Sequence, residues 1–176
     1  NAFKYCLKDG GIKVPFVVSW PGQIPAGKRV GELVTHRDLY ASLSDMTKIA
    51  PKKPLDGKSL GPLIRETVSQ LHEHETMFWD SGREQNWVAR EGDWKLVYRA
   101  EAKTYQAYEL DEDGLVKDKL REVPIPNGLQ LYNLGEDPGE TMDMAERYPE
   151  RVALMKSRYQ TWRAEMSDRI RGKDQK

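Results

Sequence analysis

Lys4-Tyr-Cys-Leu-Lys-Asp-Gly-Gly-Ile-Lys-Val-Pro-Phe-Val-Val-Ser-Trp-Pro-Gly22 lies near the start of the chain, behind Asn1-Ala-Phe3. Within it Val14 to Trp20 is an almost unbroken apolar, β-branched and aromatic run. Gly10-Gly11 bounds it on one side and Pro21-Gly22 on the other. Such a run fits a strand covered on both faces, as in an α/β sheet. No earlier strand or helix stands in front of it to act as a partner. The expectation is therefore a buried strand from the edge of a larger domain, and a chain that is a fragment.

Beyond a Pro/Gly-containing loop at 23–29, Thr35 offers an N-cap with Asp38 in the first turn. Leu39, Leu43 and Met46 follow at helical spacing, which predicts a helix over 37–48. His36 at its start is read as a capping or satisfied core histidine. Pro51 and Pro54 stop the helix. Asp56-Gly57 reads as a turn, and 59–66 as a short helix with Leu60, Leu63 and Ile64 inward.

From Thr76 the pattern becomes strand-like. Short runs at 76–79, 87–90, 94–99, 105–110 and 130–134 are separated by Gly, Asp and Asn. Glu91-Gly92-Asp93 predicts a tight hairpin. Trp94-Lys-Leu-Val-Tyr98 alternates as a half-buried antiparallel strand should. The stretch 111–127 is acidic, then basic, and contains Pro, and it reads as an excursion at the sheet edge. Val152, Met155, Tyr159, Trp162, Met166 and Ile170 recur every three or four residues, behind Pro149 and Glu150 at a helix start. They predict a long amphipathic helix laid on the sheet. The fold class is α+β: a small antiparallel sheet packed against a long C-terminal helix, preceded by a strand and helix belonging to a truncated α/β domain.

Composition narrows the partners. The 176 residues hold 28 Lys and Arg against 28 Asp and Glu, so no global field attracts nucleic acid or an anionic membrane. No eighteen-residue apolar run is present for a transmembrane helix. The single cysteine, Cys6, excludes an internal disulfide and leaves the redox compartment open.

The opening segment also carries a family pattern: a lysine, five residues, Gly-Gly-Ile, a basic residue, Val-Pro, then Trp-Pro-Gly. It resembles the segment that follows the metal site in sulfatases of the alkaline-phosphatase superfamily. Four further stretches agree in order: Thr35-His-Arg-Asp-Leu-Tyr-Ala-Ser-Leu43, then Leu55-Asp-Gly-Lys-Ser-Leu60, Ala89-Arg-Glu-Gly-Asp-Trp-Lys-Leu96, and Leu131-Tyr-Asn-Leu134 with Glu136-Asp-Pro-Gly-Glu140. The resemblance implies that 1–70 is the C-terminal edge of the sulfatase catalytic α/β domain and 71–176 the C-terminal subdomain. The family has Tyr/Phe-Glu before the Gly-Gly pair, whereas Lys8-Asp9 stands here.

Sulfate-ester hydrolysis needs a nucleophile, a divalent cation, cationic groups on the sulfate oxygens and an acid for the leaving group. In sulfatases the nucleophile is a formylglycine made within Cys/Ser-x-Pro/Ala-x-Arg. Cys6 fails that pattern, and Ser19-Trp-Pro-Gly-Gln23 lacks its Arg. No Asp/His cluster has metal spacing, and His72-Glu-His74 supplies too few ligands. The expectation is no metal and no cofactor in the fragment. The resemblance implies calcium, or another divalent cation, and formylglycine in the parent. Lys4 occupies the place of the family lysine that contacts the sulfate as a point charge. By analogy with loops that reach over the cleft, His74, Arg83, Trp87 and Arg90 are candidate substrate contacts. Asp137-Pro-Gly-Glu140 is read as a structural turn.

The function implied is that of the C-terminal part of a sulfatase acting on aryl sulfates or sulfated glycans, inactive alone. Its partner would be the missing N-terminal catalytic part, and the parent would be periplasmic or secreted. Alternatives are a fragment of a phosphonate monoester hydrolase or phosphodiesterase of the same superfamily, or a non-catalytic binding module. An unpartnered strand at Val14 to Trp20 would also favour self-association.

Overall fold

The computed structural model describes residues 7–65, 76–82, 85–113 and 115–170. The chain divides into two compact units, one formed by 14–75 and the other by 1–13 together with 76–176. The elements, in chain order, are α1 (Asp9–Ile12), α2 (Arg37–Thr47), α3 (Gly61–Ile64), β1 (Thr76–Asp80), β2 (Asn86–Glu91), β3 (Trp94–Arg99), β4 (Lys103–Leu110), β5 (Val116–Ile125), β6 (Gly128–Asn133) and α4 (Pro149–Ile170).

In the unit 14–75 the organising group is polar. Asp38, fully buried, accepts the Thr35 amide at 2.7 Å and the Lys58 amide at 2.8 Å on its two carboxylate oxygens. Ser42, one turn on, donates to the Asp38 carbonyl and accepts the Leu60 amide at 2.9 Å. Asp45 takes Arg65 at 2.9 Å and Ser59 at 3.0 Å, and the Arg65 guanidinium, with Ser59 and Lys48, holds its carboxyl below the usual range. One face of α2 thus bonds the Leu55–Leu60 segment, and the buried stripe is Asp38, Ala41 and Ser42. Leu39 and Leu43, which recur at helical spacing in the sequence, are by contrast 40% and 58% exposed. The reason is bonding: a buried carboxylate with two amide donors fixes the rotation of a short helix whatever its leucines prefer. His36 stands at the N-cap, exposed, with no side-chain capping bond.

The turn predicted at Asp56-Gly57 is where this segment passes closest to α2. A Cβ on Gly57 would lie 2.0 Å from the Arg37 carbonyl oxygen, which is backbone and cannot swing aside. Gly57→Ala is therefore expected to cost about 1–3 kcal/mol through backbone displacement. A chemical melt with an unchanged midpoint would show that the approach is looser.

Val14 to Trp20 joins no ladder among the described residues, and Val14 and Val17 are 74% and 88% exposed. The expected buried strand is thus not formed. An apolar run becomes a strand only when another edge accepts its amides and carbonyls.

In the second unit β1, β2, β3 and β6 make a four-stranded antiparallel sheet in that order, and β4 pairs with β5 as a separate two-stranded ribbon. β5 falls inside the stretch read as an excursion. Its sequence, VKDKLREVPI, carries charges at too many positions for the apolar alternation to stand out. The β2–β3 hairpin turns on Gly92-Asp93, with Glu91 opposite Trp94 and Gly92 at φ +56°.

The sheet buries both faces. On one, Trp87, Ala89, Leu96 and Leu131 pack against Met155 and Tyr159 of α4. Trp87 and Tyr159 stack at 4.0 Å, and Phe78 and Trp162 at 5.1 Å. Acidic residues at the ends of β1 and β2 fasten the helix. Asp80 accepts the Tyr159 hydroxyl at 2.7 Å and pairs with Arg163 at 2.6 Å, while Glu91 pairs with Arg158. Burial, and then the Asp80 carboxylate, push the Tyr159 hydroxyl well above its ordinary pKa. On the opposite face Val88, Val97 and Tyr132 form a second cluster joined by Leu7, Trp79 and Leu134.

Candidate functional site: a buried charge cluster behind the amino-terminal segment

Alternation puts Lys95 on the same face as Val97, away from α4. It is fully buried. A buried ammonium needs compensating charge, and two carboxylates supply it. Lys95 Nζ lies 2.6 Å from Asp9 Oδ1 and 2.6 Å from Glu140 Oε1. The Glu140 side chain is 2% exposed, and its second oxygen accepts the Asp9 amide at 2.8 Å. The Glu140 carbonyl accepts Lys8 Nζ at 2.8 Å, and that ammonium sits 4.8 Å from the centre of the Tyr132 ring. Burial, with the nearby carboxylates of Asp143, Glu140 and Asp137, pushes the Tyr132 hydroxyl well above its ordinary pKa.

Glu140 reaches this position through a strained turn. Its φ is +54°, in the left-handed region that non-glycine residues rarely adopt. The Asp137 side chain holds the turn, accepting the Thr141 amide at 2.6 Å and the Met142 amide at 2.8 Å. Burial pushes the Asp137 carboxyl up, but these amides, that of Gly139 and the Thr141 hydroxyl outweigh it and leave it lowered. The Asp137-Pro-Gly-Glu140 stretch is thus a turn, as read from sequence. Its last residue also does what the sequence reading missed, by carrying a buried charge to the segment around Asp9.

Of the candidate site residues, Lys4, His74 and Arg83 lie outside the described residues, as do Cys6 and His72. Trp87 is 5% exposed and stacks on Tyr98 as well as Tyr159, in the core beneath α4. Arg90 is on the opposite face, directly across from Lys95, and its Nε donates to the Gly92 carbonyl at 3.1 Å. The sheet therefore separates Trp87 from Arg90. Among the described residues no three His, Cys, Asp or Glu side chains gather so as to hold a metal ion. No described helix is long and apolar enough to cross a membrane.

The unit formed by 1–13 and 76–176 thus has a four-stranded antiparallel sheet with one long helix on one face and a short amino-terminal segment ion-paired to the other. Residues 3–124 match the family model described as N-sulphoglucosamine sulphohydrolase, C-terminal, and the chain belongs to that family. It is 24% identical over 160 residues to an N-acetylgalactosamine-6-O-sulfatase of Bacteroides thetaiotaomicron, covering 85% of this chain and 27% of the relative. It is 28% identical over 154 residues to Arylsulfatase K of Gallus gallus, covering 85% and 25%. Over 77 residues it is 31% identical to human Arylsulfatase D, covering 43% and 13%. The fold is similar to the crystal structure of Ps i-CgsB, with a TM-score of 0.56 at 20% identity over 81% of this chain and 27% of that one. The chain is homologous to the C-terminal part of sulfatases, and spans 27% or less of the length of these relatives.

Proposed function

We propose that the full-length polypeptide is a sulfuric-ester hydrolase acting on aryl sulfates or sulfated glycans, and that this chain is its C-terminal part. Membership of the sulphohydrolase C-terminal family carries the reading. On it, 1–70 forms the edge of the catalytic domain and 71–176 the subdomain that walls the cleft. Formylglycine and a calcium-type cation belong to the upstream part. Lys4 contributes an ammonium to the sulfate oxygens, and His74, Arg83 and Arg90 contact the rest of the substrate. Trp87 enters only by fixing the position of β2. The parent is periplasmic or secreted.

The test compares the chain with the full-length polypeptide on nitrophenyl sulfate and sulfated glycan disaccharides. The chain alone is expected to release nothing above background. The full-length protein should turn over at least one ester, and Lys4→Ala should lower kcat by about a hundredfold or more. Metal-dependent hydrolysis by the isolated chain, or none by the full-length protein, would defeat the reading.

The exposed apolar run at Val14 to Trp20 belongs, on this proposal, against the upstream part. Without that cover the chain should self-associate through it. Sedimentation across micromolar concentrations should show species above about 20 kDa for wild type, reduced by Val17→Lys. A clean monomer insensitive to that substitution removes the idea.

A further inference from the structure

The Lys95 cluster binds the segment at residues 8 and 9 to strand and turn residues far along the chain. Three charge contacts or hydrogen bonds reach Glu140 or its carbonyl from Lys8, Asp9 and Lys95, and a fourth contact joins Lys95 to Asp9. None is a surface pair, since Lys95 is fully buried and the Glu140 side chain is 2% exposed. A link this buried is specific about distance, because a carboxylate displaced from its cation loses both solvation and partner. The left-handed Glu140 shows backbone strain at the same place, where strained residues persist only when their surroundings hold them. The segment so held starts four residues after Lys4. Four residues span at most about 14 Å, so fixing Lys8 and Asp9 restricts where Lys4 can act.

We infer that Lys95, Glu140 and Asp9 are positioning residues: together they set the place of the sulfate-contacting segment without touching substrate themselves. This rests on the function proposed above, in which Lys4 meets the sulfate. A catalytic charge misplaced by about 1 Å can lose on the order of a hundredfold in rate. Loosening the cluster should therefore appear in kcat and not only in stability.

The experiment uses the full-length polypeptide and whichever sulfate ester it hydrolyses, nitrophenyl sulfate first. Glu140→Gln keeps the side-chain shape and removes the charge, and Lys95→Met keeps the length and removes the cation. Met155→Ala, on the other face of the sheet, is the control for lost stability. Below the unfolding range of all three, both cluster variants are expected to lose about tenfold or more in kcat with KM changed far less. Met155→Ala should stay within about twofold of wild type. Hydrogen exchange at the Asp9–Lys13 amides should quicken in Lys95→Met and not in Met155→Ala. Lys4→Ala combined with Lys95→Met should lose less than the product of the single losses, since both act through one group. If Lys95→Met fails to fold, Glu140→Gln and Asp9→Asn carry the same comparison. Quickened exchange with unchanged kcat makes the cluster structural only and overturns the inference, leaving the sulfatase reading intact. An inert Lys4→Ala overturns the placement of Lys4, and the inference with it.

Discussion

Lys95→Met is expected to lower the stability of the chain by about 3–5 kcal/mol, the range for breaking a buried ion pair from one side. The substitution leaves the Glu140 carboxylate, 2% exposed, facing a thioether. Asp9 loses its cation as well, but its side chain is 17% exposed and regains some solvation. The cost therefore comes mostly from Glu140. Neutralising all three groups, as Lys95→Met with Glu140→Gln and Asp9→Asn, should recover much of the loss, because no buried charge is then left unpaired. Urea melts of the single and triple variants decide it. A single-variant loss below about 1 kcal/mol would mean that water reaches the cluster.

Met155→Ala should cost about 2–5 kcal/mol. Met155 has no exposed surface and lies among Trp87, Ala89, Leu96, Leu131 and Tyr159, so truncation leaves a void that rigid neighbours fill poorly. Trp162, which helical periodicity marks as strongly, is only half-buried, with its ring stacked on Phe78. Its truncation should cost less than that of Met155 despite its greater size. The reverse order in denaturant melts would place the centre of the helix–sheet core nearer the C-terminal end of α4.

Much of the second unit is legible in the residues alone. The strands at 76–80, 86–91, 94–99, 103–110 and 128–133 and the helix at 149–170 fall close to where alternation, turn residues and the Pro149 start place them. These elements are short-range in origin, since a two-residue hairpin or an amphipathic helix writes its period into neighbouring positions. β5 escaped because its charged residues mask the period. In the unit 14–75 the helix is legible from its spacing, but which face it buries is set by the Asp38 carboxylate and its two amide donors, residues the spacing does not mark. The run at Val14 to Trp20 has the composition of a buried strand, yet among the described residues nothing pairs with it.

The candidate site shows the same division. Lys4 and the Gly10-Gly11 segment stand out as a pattern of residue types, which needs no coordinates. Lys95 does not, because in sequence it is an ordinary lysine at an alternate position of a half-buried strand. Nor does Glu140, which closes an Asp-Pro-Gly turn and looks solvated. The sequence by itself determined the strand periods, the turns and the long helix, all set by interactions between residues a few positions apart. Only the tertiary structure decided that the second face of the sheet is covered. There residues 131 and 132 positions apart meet, and burial turns three common charges into one bonded group.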